Sequence, residues 1–292
     1  MRVYCHRLPD VLALEHRSRG RWTVPDMGYM ELAHVFNSLK EPVMGSAVEA
    51  LAPQPGSQGL DAGCGIGLES MLLARAVGPA GHVTGLDLSP AFLAHAEELV
   101  ADAGLSERVS FREGDVRHLP FEDDVFDWAW SVDLVGYAPL EPLPLVQELA
   151  RVVRPSGSVA ILAWSSERLL PGLPLLEAHL AATSSGMAPF AVGREPSSHF
   201  LRALGWFRSA GLRDCRVHTF AGGAHAPLTA DQRAALAALF EMRWPGVESE
   251  LSPEDREEYQ RLCLAESPDF MLDHPDYYAF FTYSMFQGKV AE

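Results

Sequence analysis

The chain has 292 residues, 48% of them hydrophobic and 21% charged, the proportions of an ordinary globular protein rather than of a disordered, collagenous or coiled-coil chain. That length admits one large α/β domain or two small ones, each able to bury a core. With 23 Lys and Arg against 39 Asp and Glu, the net charge is −16, which repels polyanions, so nucleic acid is not an expected partner.

The first residues, MRVYCHRLPDVLALEHRSRGRW, are interrupted by charges and by Pro9. Neither a signal peptide nor a membrane span is expected. Cys5, Cys64, Cys215 and Cys263 form no C-x-x-C pair, which argues against a zinc site and a disulfide framework and fits a reducing cytoplasm.

Between residues 30 and 51 the apolar side chains Leu32, Val35, Phe36, Leu39, Val43, Val48 and Leu51 recur at helical intervals. Pro42 interrupts them, so the pattern predicts two short helices. A turn-rich stretch at 53–59 leads to a strand ending at Asp61, a glycine loop, a helix over 69–77, a strand over 82–87 and a helix over 90–103. Strands over 109–112 and 126–132, a helix over 143–153 and a strand over 158–164 continue the alternation, which predicts a parallel sheet with helices on both faces. The turn at 154–157 is expected to end the helix at Pro155 and to place positive φ on Gly157.

Beyond Trp164 the pattern predicts a Pro-, Gly- and Ser-rich loop to residue 197, a helix over 198–210 and a strand over 213–220. Two helical stretches at 230–242 and 253–266 then precede a final strand over 280–290. The stretch 229–267 is longer than an ordinary loop and reads as an inserted helical cap. The expected divisions are N-terminal helices over 1–55, an α/β core over 56–228, the cap over 229–267, and a return to the core over 268–292.

The most informative stretch is Leu60-Asp61-Ala62-Gly63-Cys64-Gly65-Ile66-Gly67. Glycines between a strand and a helix let backbone approach a ligand at the carboxyl end of the strand, next to a helix amino terminus. A dinucleotide fingerprint would need its third glycine at position 68, which is Leu68, so an NAD-dependent oxidoreductase is a weaker alternative. Asp87 follows about 20 residues later, at the end of the next strand, where a carboxylate takes a ribose diol. Gly114-Asp115-Val116 follows the third strand, placing Asp115 to accept from an adenine amino group and Val116 to pack on the ring.

With those signals in place, the chain resembles the class I S-adenosylmethionine-dependent methyltransferases, in the branch that includes the ubiquinone and menaquinone methyltransferases. The resemblance runs over 59–164 and rests on DAGCGIG, GLDLS, EGDVRHLPFEDDVFD and ELARVVRPSGSVAI. In the last of these, Ser156 replaces a customary glycine, a change expected to be harmless because Gly157 keeps the flexible position. The resemblance implies a doubly wound Rossmann-like α/β fold, with a mostly parallel sheet and an antiparallel last strand. It also implies S-adenosylmethionine as cofactor, S-adenosylhomocysteine as product, and a cofactor surface of Asp61, Gly63, Cys64, Gly65, Gly67, Asp87, Leu88, Asp115, Val116, Ser131 and Asp133. Asp61 and Gly63 would approach the methionine amino group, and Gly65 and Gly67 would present loop backbone. Asp87 would hold the ribose and Asp115 the adenine, with Ser131 and Asp133 at the methionine end facing the acceptor.

The implied partner is a small-molecule acceptor in the cytoplasm, with no nucleic acid, membrane or metal, and with self-association admitted. Methyl transfer from a sulfonium is an in-line displacement in which orientation supplies much of the rate, and a general base is needed only for a protonated acceptor. His199, His218, His225, His274, Tyr29 and Tyr137 carry no motif, so no catalytic residue is assigned. Asp269, Asp273, His274 and Asp276 match no metal-ligand spacing. Trp22, Tyr29, Trp164, Phe190, Trp206 and Trp244 are candidates for apolar walls or for core. The segments 22–30 and 229–267 are expected to close over the acceptor. A cofactor-binding scaffold without catalysis is the alternative outside enzymology.

Overall fold

The structure, a computed structural model, describes residues 29–136, 141–187 and 195–292. Helix α1 (Tyr29–Leu51) leads into β1 (Gln58–Ala62), α2 (Leu68–Val77), β2 (His82–Asp87), α3 (Pro90–Asp102), β3 (Val109–Glu113) and β4 (Phe126–Val132). Then come α4 (Pro142–Arg151), β5 (Val153–Arg168), α5 (Pro174–Ala181), α6 (Ser184–Met187), α7 (Ala203–Ser209) and β6 (Arg213–His225). Two helices, α8 (Ala230–Arg243) and α9 (Pro253–Cys263), precede the last strand β7 (Tyr278–Lys289).

The strands form one sheet in the order β3-β2-β1-β4-β5-β7-β6. The first five are mutually parallel, and β7 runs antiparallel to β5 and to β6. The chain steps outward from β1 through β2 to β3, then crosses back to place β4 on the other side of β1. That reversal opens a crevice above the carboxyl ends of β1 and β4, where ligands of open α/β sheets bind. Central strands are buried on both faces and read as apolar runs, as Phe126 to Trp130 do apart from Asp127.

The two faces bury separate clusters. One joins Leu39, Val43 and Met44 of α1 to Trp128 and Trp130 of β4, Trp164 of β5, Leu236, Leu239 and Phe240 of α8, and Phe281 and Tyr283 of β7. The other packs Leu145, Val146 and Leu149 of α4 and Trp206 and Phe207 of α7 against Ala129, Val159 and Ile161. Trp164, Trp206 and Trp244 thus belong to the cores, whereas Trp22, Tyr137, Phe190 and residues 22–28 of the expected lid lie outside the described residues.

Several expectations are corrected. The N-terminal helices are one helix running through Pro42. A mid-helix proline costs on the order of 3 kcal/mol, which the buried stripe of Leu39, Val43, Met44, Ala47, Val48 and Leu51 outweighs. The stretch read as a loop to residue 197 holds the end of β5 and two short helices, the first opened by Pro174 at its amino end. The helix expected over 198–210 is two single 3-10 turns followed by α7.

The turn before β5 differs more instructively. Positive φ falls on Ser156, at 64°, and not on Gly157. Gly157 is needed for another reason: a Cβ there would lie 2.5 Å from Val153 Cγ1 and 2.6 Å from the Asp127 carbonyl. Ser156 therefore bears the left-handed strain that a glycine would have avoided.

Candidate functional site

The glycine loop leaves β1 at its carboxyl end and turns into α2 through Gly63, Gly65 and Gly67, whose φ values are 81°, 52° and 78°. Left-handed backbone at all three is what selects glycine there. The loop hangs on its neighbour: Gly63 and Cys64 donate to the Leu86 carbonyl at 2.7 and 3.0 Å. A Cβ on Gly67 would meet Phe111 and Ala96 within 3.0 Å, so that glycine serves packing. At Gly65 nothing lies within 4 Å of the same construction, so the loop's crest faces open space.

Asp87 closes β2 and is 5% exposed. One carboxylate oxygen accepts from the Gly65 amide at 3.0 Å and the other from the Ser89 amide at 3.0 Å. Ser89 in turn caps α3 by accepting from the Phe92 amide. Burial raises the Asp87 pKa, against the lowering effect of those backbone donors. Each oxygen keeps a lone pair, so the carboxylate can brace the loop and still accept a hydroxyl. Beside it Leu88 is 44% exposed, an apolar side chain held at the rim.

Asp61 is buried at the end of β1, where Oδ2 accepts from Ser70 Oγ at 2.6 Å. Burial pushes its pKa to about 7, with Glu69 and Asp87 adding to the rise and Ser70 and Lys40 opposing it. Ser131 lies on β4 with its hydroxyl donating to the Ala62 carbonyl at 2.8 Å, which joins β4 to β1 at the crevice. Val116 is buried below the end of β3. Asp115 receives Nε and Nη2 of Arg117, and hydrogen bonding from that guanidinium holds its pKa below the usual carboxylate range. The Cys64 side chain is buried, and a Cβ on Gly85 would lie 2.9 Å from its Sγ; its thiol faces the core rather than the loop's outer surface.

Asp133 follows β4 in a left-handed conformation, φ 53°. It accepts from the Trp164 amide at 3.2 Å and from the Tyr283 hydroxyl at 2.7 Å, and Lys40 Nζ stands 3.4 Å away. No motif in the sequence pointed to Lys40, Glu69 or Tyr283, since the contacts join residues far apart in the chain. Three of the four histidines considered as bases have hydrogen-bond partners: His274 accepts from the Asp276 amide and His199 from the Leu201 amide, while His225 bonds to the Ala226 carbonyl; His218 stacks on Phe220. Asp273 is paired with Arg233 and Asp269 with Arg261. Among the described residues no helix is long and apolar enough to cross a membrane.

The arrangement suits an adenosyl ligand with a charged tail. An acid at the end of β2, an exposed apolar side chain beside it, a glycine crest facing open space and carboxylates at the β1 and β4 ends lie along one sheet edge.

A family model described as a methyltransferase domain matches residues 60–157. The chain is 32% identical to a demethylmenaquinone methyltransferase of Staphylococcus aureus (strain JH9) over 188 residues, covering 59% of this chain and 74% of that protein. It is 35% identical over 133 residues to a probable tocopherol O-methyltransferase of Oryza sativa subsp. japonica, covering 46% and 36% of the two chains. The crystal structure of the YcgJ protein from Bacillus subtilis shares the fold, with a TM-score of 0.52, 17% identity, and coverage of 86% of this chain and 99% of that one. The chain spans less than half the length of five of the curated relatives it matches.

Proposed function

The chain belongs to the class I S-adenosylmethionine-dependent methyltransferases, and from that premise we propose that it transfers a methyl group from S-adenosylmethionine to a small, partly apolar acceptor. The observation that carries the proposal is Asp87, which braces the Gly65 amide beneath open space while keeping lone pairs for a ribose. Asp61 and Gly63 are assigned to the methionine amino group, Gly65 and Gly67 to the loop, and Asp87 to the ribose. Leu88, Asp115 and Val116 are assigned to the adenine, and Ser131 and Asp133 to the methionine end. Cys64 would contribute through backbone only, because its side chain is buried.

The cofactor supplies an electrophilic methyl on a sulfonium, whose departure needs no acid. This chain's residues have three tasks: to bind, to orient and to keep the acceptor on the line of displacement. The acids at the β1 and β4 ends favour a cationic tail, and they favour the sulfonium over the neutral thioether product, which assists release after transfer. Demethylmenaquinone and tocopherol, in the names of the relatives, support an acceptor with an apolar body, and the acidic net charge supports a small molecule over nucleic acid. The segment 229–267 is proposed to shape the acceptor side, and a cytoplasmic setting is proposed from the unpaired Cys64, Cys215 and Cys263.

The test is direct. S-adenosylmethionine carrying a labelled methyl is incubated with panels of phenols, quinols, amines and thiols, and both product cofactor and labelled acceptor are measured. Tight cofactor binding with no transfer to any class would support the non-catalytic alternative. Absence of binding would remove the cofactor assignment itself.

A further inference from the structure

Lys40 stands midway along α1, a helix outside the strand-loop-helix unit that forms the cofactor cradle. Its Nζ lies 3.1 Å from Glu69 Oε1 and 3.4 Å from Asp133 Oδ2. These acids sit on the two walls of the glycine loop. Glu69 is in the first turn of α2, two residues beyond Gly67. Asp133 directly precedes Leu134, whose Cδ2 would be 2.7 Å from a Cβ on Gly63. Anchoring Asp133 therefore anchors the side chain that packs on the loop's first glycine.

The electrostatics make the ammonium necessary. It holds two carboxylates close together at a site where the Lys40 and Glu69 side chains are only 21% and 17% exposed, so screening is incomplete. Without it the acids repel across the loop. Burial pulls the Lys40 pKa down, but Glu69, Tyr283 and Asp133 more than offset that and hold it well above the ordinary range, so the lysine stays charged. The Tyr283 hydroxyl and the Trp164 amide orient Asp133 from the sheet side. The same helix has a second link to the cofactor half, His34 Nε2 to His95 Nε2 at 3.0 Å.

We propose that Lys40 is a positioning residue: it clamps the two walls of the glycine loop, so that cofactor affinity and the docking of α1 depend on each other. This rests on the S-adenosylmethionine reading given above. A helix contributed from outside the α/β unit thereby becomes part of the cofactor site without touching the ligand.

The experiment compares wild type, K40M and K40R by calorimetry with S-adenosylhomocysteine and by hydrogen exchange over residues 29–51. K40M is expected to lose about tenfold or more in affinity and to exchange faster in α1, and K40R to recover most of both. The product cofactor is expected to protect α1 in wild type and to fail to do so in K40M. Binding by K40M within about twofold of wild type, with equal protection of α1, would overturn the clamp while leaving the cofactor reading intact. Should K40M not fold, K40Q, which also removes the ammonium, carries the same expectation, and unchanged affinity and exchange there would overturn the clamp equally. A wild type that bound neither S-adenosylmethionine nor its product would overturn the cofactor reading and the clamp with it.

Discussion

Asp87 and Asp61 show how two carboxylates at one sheet edge acquire different tasks from their surroundings. Asp87 accepts two backbone amides and so supports the loop. Asp87→Ala is therefore expected to weaken S-adenosylmethionine binding by about 1 to 3 kcal/mol, and unchanged affinity in calorimetry would show that the loop is held by other means. Asp61 has a single named donor, Ser70, and burial raises its pKa from 3.8 to about 7. The folded state then holds this proton more tightly than the unfolded chain, so its contribution to stability is greatest below pH 4 and is lost as pH rises to about 7. Asp61→Asn should flatten that part of the stability profile in denaturant titrations of the ligand-free protein. An identical slope in the variant would assign the titration to another group.

At the scale of elements, local chemistry accounts for several boundaries. Thr229 opens α8 with a reciprocal capping box, accepting from the Gln232 amide while the Gln232 side chain accepts from the Thr229 amide. Thr229→Ala is expected to cost about 1 kcal/mol, read as a lower melting temperature with cofactor affinity unchanged. The entry to β5 offers the opposite case. Ser156 carries positive φ, a conformation that glycine adopts without strain, so Ser156→Gly should relieve strain and raise stability by up to about 1 kcal/mol. A lower melting temperature would mean that the serine side chain makes a compensating contact. Gly157 cannot be exchanged in the same way, because its Cβ would collide with the Asp127 carbonyl.

Across the whole molecule, the segment 229–267 is tied into the fold. Leu236, Leu239, Phe240 and Trp244 share one core with α1, β4, β5 and β7. Arg243, at the end of α8, pairs through two nitrogens with Glu167 on β5. Each large apolar side chain contributes about 1.5 to 3 kcal/mol on burial, and a domain's net stability is only about 5 to 15 kcal/mol. Deleting the segment is therefore expected to abolish the cooperative unfolding transition in calorimetric scans, and not simply to uncouple acceptor turnover from cofactor binding. A deletion variant that melted cooperatively and bound cofactor normally would restore the picture of a detachable lid.

The strand-loop-helix from Leu60 to Glu69, the acid ending β2 and the alternation of strands and helices are legible in the sequence because their signals are local. Glycine at left-handed positions, serine and proline opening α3, and apolar runs in doubly covered strands each act within a few residues. The continuity of α1 through Pro42 was not legible, since it depends on what covers the helix, and neither was Ser156 as the strained residue. Asp133 was a candidate from the resemblance, but its grouping with Lys40, Glu69 and Tyr283 had no signal in the sequence. The four lie on α1, on α2, just beyond β4 and on β7, and only the order of strands in the sheet brings them together. Backbone chemistry therefore determined the glycine loop and the acid beside it, where the cofactor is proposed to lie. Tertiary packing decided which charges surround it, because an ion pair between distant segments depends on distance in space and leaves no periodicity in the chain.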